Sequence, residues 1–136
     1  KISTQSLIND KTDTVLTILS EKEGAVSIGE KCKLVGIDWL WLPLPDGNIP
    51  PNSKKQQIIT TFEKVKEKLN NGQKVYIHCS AGIHRTGMIT HAFLIYLGYD
   101  SQRSLEILSE LRPLTANAVG EHRLDWGRRF GGKEHD

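Results

Sequence analysis

One ten-residue stretch concentrates the groups that could do chemistry: His78-Cys79-Ser80-Ala81-Gly82-Ile83-His84-Arg85-Thr86-Gly87. A thiol and a guanidinium stand six positions apart, with a glycine among the five residues between them and Thr-Gly at the end. The thiolate is the nucleophilic form of cysteine, and at an ordinary pKa near 8.5 only a few per cent is present at neutral pH. Lowering that pKa by about three pH units takes about 4 kcal/mol, a scale that a helix N-terminus and a nearby cation supply together. Successive backbone N–H groups in a tight loop leading into a helix give such surroundings, and the same amides bind phosphate. Arg85 adds a planar fork matched to two phosphate oxygens. The Thr86 hydroxyl can donate to the thiolate and later to a departing sulfur. The chemistry implied is attack by sulfur on the phosphorus of a bound phosphate. Cys-x5-Arg by itself recurs by chance, and a buried cysteine is ordinarily inert packing. The case for chemistry rests on what surrounds the pair.

That surrounding is a strand before the loop and a helix after it. Lys74 to Ile77 (KVYI) reads as a short buried strand, and Thr86 to Leu97 as a helix closed by Gly98. In an open α/β sheet, ligands bind at the carboxyl ends of the strands, where this loop falls. Upstream, Thr12 to Leu19 (TDTVLTIL) is β-branched and apolar throughout and reads as a buried strand of a mainly parallel sheet. Glu21 to Lys33 is more polar and reads as a loop and a short helix. Leu34 to Leu44 (LVGIDWLWLPL) is a second strand, followed by a Pro- and Gly-dense loop over 43–51. Ser53 to Asn71 carries Ile58, Ile59, Phe62, Val65 and Leu69 at helical spacing, with Ser53 as cap and Gly72 as stop. A further helix spans Ser101 to Leu111, with Leu105, Leu108 and Leu111 on one face and Pro113 just beyond. A loop and a last helix over His122 to Phe130 complete the chain. The alternation predicts one α/β domain over residues 1–136, a central mainly parallel sheet flanked by helices.

Composition sets outer bounds. The 136 residues are enough to bury a core without disulfides or a structural metal. Apolar residues are 38% and charged residues 25%, and the formal net charge of +2 argues neither for nucleic acid nor for a membrane surface. The longest apolar run, around Ala92 to Leu97, is far too short to span a bilayer. The chain starts Lys1-Ile2-Ser3-Thr4, with neither a signal pattern nor an initiator Met, and so reads as trimmed or as part of a longer protein. Its two cysteines, Cys32 and Cys79, form no CxxC pair, which speaks against a thiolate zinc site. A reactive thiol needs a reducing compartment, so the expected location is intracellular, in the cytoplasm.

The segment HCSAGIHRTG resembles the HCxxGxxR[ST]G signature of the protein tyrosine phosphatase superfamily. The length and element order are similar to its compact dual-specificity branch, from the TDTVLTIL strand to Arg112-Pro113. The resemblance implies a phosphatase without metal or cofactor, working through a phosphocysteine on Cys79. It implies that Arg85 binds the phosphate and the transition state, and that the amides of Ser80, Ala81, Gly82, Ile83, His84 and Arg85 cradle its oxygens. It also implies a general acid, an Asp on a loop upstream. Asp46, in the Pro-rich loop, matches that place, although Asp46-Gly47 is equally a common turn pair. Asp38, inside the second strand, is the weaker match. Many relatives position the hydrolytic water with a late Gln. This chain has none after Gln102, and Asn117, Glu121 and His122 stand near that place. The expected partner is a phosphorylated protein carrying phosphotyrosine, with phosphoserine or phosphothreonine as further targets. RNA 5′-triphosphate ends, phosphoinositides and a silent phospho-binding module are the competing readings. Nucleic acid is expected only in the RNA-end case. His84 and Arg85 are the only basic residues of the loop, which favours protein substrates.

Several residues carry two readings. His84 adds charge beside the phosphate or points to solvent. His78 shapes the loop by hydrogen bonding or is a plain core histidine. Cys32 is packing or a redox partner of Cys79. Trp39 and Trp41 read as sheet-face residues.

Overall fold

A computed structural model describes residues 3–80 and 83–132. The chain divides into two compact units, Lys1–Pro45 with Pro50–Ser80, and Asp46–Ile49 with Ala81–Asp136.

The first unit is built on three parallel strands, β1 (Thr14–Thr17), β2 (Asp38–Trp41) and β3 (Val75–His78), in the order β2-β1-β3. All four residues of β1 are buried, as befits a central strand covered on both faces. Its register places Thr17 opposite Trp41 on one side and His78 on the other. Flanking helices are α1 (Thr4–Asn9), α2 (Ala25–Leu34) and α3 (Lys55–Asn70). Leu7, Val15, Cys32 and Ile37 form one buried cluster, with Ile28, Trp39 and Tyr76 packed on it. Trp39 and Trp41 project from the same face of β2 and stack with ring centroids 5.5 Å apart.

Three sequence expectations for this unit are corrected. Glu21–Lys33 is largely helix rather than loop. Ser20 and Glu23 form a capping box around a 3-10 turn, and α2 follows for ten residues. The buried positions of α2 are Ala25, Gly29 and Cys32, so its helical period is carried by small residues, which a search for large apolar ones passes over. The size is imposed: a Cβ on Gly29 would stand 2.5 Å from the Trp39 ring. The second strand is shorter than Leu34–Leu44, because Leu34 ends α2, Gly36 turns the chain at φ 77°, and pairing starts only at Asp38. Ser53 does not cap α3. It lies within a 3-10 turn, Asn52–Lys54, that runs straight into the helix.

The second unit is helical: α4 (His84–Tyr96), α5 (Ser101–Leu111), α6 (Pro113–Ala118) and α7 (Glu121–Gly132). Every residue of α4 from Arg85 to Leu94 is buried, so this helix is the unit's core. Small residues let its neighbours approach. A Cβ on Gly87 would collide with Val119 Cγ2 and lie 2.8 Å from Thr115 Cγ2. Gly127 and Gly131, one turn apart on α7, lie against the α4 backbone at Ala92. The region after Pro113 is helix, with proline at the first position of α6, where its missing N–H is tolerated. Leu108 is buried as expected on α5, but Leu111 is 65% exposed because the helix ends there.

His91, fully buried on α4, shares a 2.7 Å hydrogen bond between Nδ1 and Ser104 Oγ, while its Nε2 has no partner. Burial, reinforced by the positive charge of Arg128 and opposed by Glu121, lowers its pKa from 6.5 to about 4. A depressed histidine pKa means that the unfolded chain binds the extra proton first, so this contribution is whole above about pH 6.5 and fades as pH falls towards 4. The full span is worth about 3 kcal/mol. Denaturant midpoints of wild type and His91→Gln between pH 7 and pH 4 should therefore converge as pH falls. Parallel curves would contradict the assignment.

Candidate active site

Cys79 follows directly on His78, the last residue of β3, and is 8% exposed. The strand end is fixed from beneath. His78 Nε2 lies 2.7 Å from Thr17 Oγ1, and the Trp39 indole N–H donates to the same hydroxyl at 2.8 Å. Because indole nitrogen can only donate, Thr17 accepts from Trp39 and has its own proton available for His78. Burial lowers the His78 pKa, and a hydrogen bond with the Cys79 backbone works the other way. A neutral ring accepting from Thr17 satisfies all three groups. His78 is therefore both core and loop-shaping, and the two readings of it coincide. Cys32 and Cys79 are both buried thiols rather than disulfide partners. Cys32 packs among Leu7, Val15 and Ile37, where burial pushes its thiol pKa up, so it is packing.

A cavity of about 360 Å³ opens beside Cys79 and Ser80. Leu7, Leu19 and Ile28 give it an apolar wall, and Glu23, Ser27 and Lys31 a polar one. Asp38 stands apart in role. Exposed at the start of β2, it forms a 2.7 Å ion pair with Lys68.

In the second unit, Arg85 and Thr86 occupy the first turn of α4, 7% and 2% exposed. The turn closes with Gly87 N–H donating to Ile83 O at 2.9 Å. Amides of a first turn point out of the helix end, where the helix dipole favours an anion. Ser80 and His84 are exposed and Ile83 partly so. Ala81 and Gly82, expected in the cradle, lie outside the described residues.

Asp46 is exposed, and its Oδ1 accepts the Asn48 N–H at 2.9 Å, a side-chain turn that fixes the carboxylate relative to its own loop. The turn reading of Asp46 is thus correct as geometry. The next residue is gripped: Arg123 Nε donates to Gly47 O at 2.6 Å, and Arg123 Nη1 to Val119 O at 2.7 Å. A Cβ on Gly47 would stand 3.1 Å from His84 Cβ and 3.4 Å from Arg123 Nη2. His84 is therefore the loop residue against which Gly47 packs, a role that its sequence neighbours did not announce. Of the three stand-ins for a late Gln, Glu121 is in a 2.6 Å ion pair with Arg128, while His122 and Asn117 are exposed. Sequence reasoning passed over Arg123 altogether. The available signal was Gly47, a glycine held by crowding rather than by a positive φ.

Among the described residues, no cluster of three or more His, Cys, Asp or Glu side chains could hold a metal, and no helix is long and apolar enough to cross a membrane.

Comparison with known proteins agrees with the geometry. Residues 3–99 match the family described as polymorphic toxin system, DSP-PTPase phosphatase. The chain is 25% identical over 100 residues to laforin of Mus musculus, covering 71% of this chain and 30% of that protein. It is 32% identical over 91 residues to the tyrosine-protein phosphatase CDC14 of Saccharomyces cerevisiae, covering 66% of this chain and 16% of that one. The chain thus spans less than a third of either of these curated relatives. Among solved structures, Tk-PTP in its active form superposes with a TM-score of 0.76 at 22% identity, over 96% of this chain and 88% of that one. PTPMT1 in complex with PI(5)P gives 0.73 at 18% identity, over 93% and 81%. These structural likenesses establish the fold, and the family match over most of the chain establishes the lineage. The chain belongs to the polymorphic-toxin-system DSP-PTPase phosphatases, within the protein tyrosine and dual-specificity phosphatase superfamily.

Proposed function

We propose that this chain hydrolyses phosphotyrosine in proteins, and phosphoserine or phosphothreonine as further substrates, through a phosphocysteine on Cys79. The observation that carries the reading is the loop itself, with Cys79 leaving the buried end of β3 and Arg85 buried in the first turn of α4. The Cys79 thiolate attacks phosphorus, the phosphorus–oxygen bond breaks, and its electron pair leaves on the substrate oxygen. Asp46 gives that oxygen a proton. Water then attacks the phosphocysteine, Asp46 takes a proton from it, and the phosphorus–sulfur bond breaks to return the thiolate and release phosphate. Arg85 holds two phosphate oxygens throughout, and Thr86 donates its hydroxyl to the departing sulfur. The cavity beside Cys79, apolar along one wall and polar along the other, supports an aromatic leaving group. A reactive thiol suits a reducing, intracellular compartment.

Arg85→Lys tests the phosphate clamp. It keeps the charge and loses the fork, so substrate binding and turnover should both fall, turnover by about 100- to 1,000-fold. Wild-type kinetics in the Lys variant would remove Arg85 from the role. A panel of phosphotyrosine and phosphothreonine peptides, phosphoinositides and RNA 5′-triphosphate ends tests the substrate class. The phosphotyrosine peptide should have the highest kcat/KM, and a lipid or RNA substrate in first place would replace this reading.

A further inference from the structure

We propose that Arg123 is a positioning residue for the general acid, clamping the loop that presents Asp46. This inference rests on the reading of Asp46 given above.

The loop needs an external anchor. Pro43, Pro45, Pro50 and Pro51 surround it, and none has a backbone N–H to donate. With four N–H donors missing, more of the anchoring falls to the carbonyl oxygens, and a carbonyl calls for a donor. Arg123 is that donor. One edge of its guanidinium meets the loop, with Nε on Gly47 O and Nη2 3.4 Å from where a Cβ on Gly47 would stand. From the other edge Nη1 donates to Val119 O, at the end of α6. Both bonds are charge-assisted and shorter than an ordinary amide hydrogen bond. The guanidinium is planar, so its two grips fix each other, and the residue next to the acid is tied to the α6–α7 corner. Gly120, at φ 96°, makes that corner and leaves room for Nη1. Gly47 completes the fit. Its φ is not positive, so what a side chain there would meet is the crowding of His84 Cβ at 3.1 Å and Arg123 Nη2 at 3.4 Å. Lysine could not replace the clamp, because one ammonium cannot reach both carbonyls in this planar arrangement.

A clamp on the acid makes a claim that a staple between α6 and α7 does not. It should matter in proportion to the need for a proton. The experiment measures kcat and KM for aryl phosphates of graded leaving-group pKa with wild type, Asp46→Ala, Arg123→Ala, Arg123→Lys, Gly47→Ala and the Asp46→Ala/Arg123→Ala double variant. Arg123→Ala should lower kcat about 10- to 100-fold for phenyl phosphate, and much less for a strongly activated aryl phosphate. KM should stay nearly constant, and Arg123→Lys should restore only part of the loss. Gly47→Ala should show the same leaving-group dependence with a smaller amplitude, and it carries the test if Arg123→Ala does not fold. The double variant should be no slower than Asp46→Ala on phenyl phosphate, because a mispositioned acid that is absent loses nothing more. Equal slowing of all leaving groups by Arg123→Ala and Gly47→Ala, or losses that multiply in the double variant, would overturn the clamp. If Asp46→Ala shows leaving-group dependence and neither of those variants does, the clamp alone is wrong. If Asp46→Ala shows none, the acid assignment falls and the clamp with it.

Discussion

Cys79→Ser is expected to abolish turnover, with a loss of at least about 100-fold, while leaving the protein folded and able to bind substrate. At neutral pH a serine hydroxyl is a far weaker nucleophile than a thiolate, and the amides and Arg85 proposed to hold the phosphate are untouched by the change. The substitution is nearly isosteric at a position 8% exposed, so the packing around the end of β3 should survive. His78, Thr17 and Trp39 keep their hydrogen bonds, since none of them depends on the sulfur. The check is steady-state kinetics beside the thermal midpoint and the affinity for a phosphotyrosine peptide. Hydrolysis retained above about one per cent would remove Cys79 as the nucleophile.

Asp46→Ala carries the second large effect, and its signature is selectivity. Tyrosine leaves as a phenoxide whose conjugate acid has a pKa near 10, so protonating it in the transition state matters. General acid catalysis is typically worth about 100- to 10,000-fold, and Asp46→Ala should slow phosphotyrosine peptides by that range. An aryl phosphate bearing strongly withdrawing groups should be slowed less, and the alkaline limb of the rate profile should flatten. Asp38→Ala is the built-in control. That carboxylate is committed to Lys68 at the edge of the sheet, so its loss should show no leaving-group dependence. An exposed ion pair of this kind is worth about 0 to 1 kcal/mol, so stability should change little as well. Should Asp38→Ala carry the dependence and Asp46→Ala not, the acid is the other aspartate.

The strand-loop-helix frame of the site was readable because each part speaks through local chemistry. β1 is a run of β-branched and apolar residues, α3 has large apolar side chains at helical spacing, and the Cys79–Gly87 signature is continuous in sequence. What was not readable depends on partners distant in the chain. α2 hides because its buried face carries only Ala25, Gly29 and Cys32, with Gly29 forced small by Trp39. His91 looked like any apolar-helix residue, and its buried, half-satisfied ring exists only because α5 and α7 cover it. Arg123 is unremarkable in sequence, and the carbonyl it binds lies seventy-six positions upstream. Asp46 was singled out through its loop and its match to a family pattern, while the turn that fixes it and the arginine that grips its neighbour were visible only in space.

The central claim is that phosphate passes through a covalent bond to Cys79. Rapid acid quench of the wild-type protein during turnover of an aryl phosphate, followed by peptide mass spectrometry, tests it most directly. The account predicts a phosphate adduct on the peptide containing Cys79, more abundant with an activated substrate in the Asp46→Ala background, where water activation in the second step is impaired, and absent in Cys79→Ser. An adduct on any other residue, or steady turnover with no adduct at any quench time and a single-step inversion of configuration at phosphorus, would contradict it.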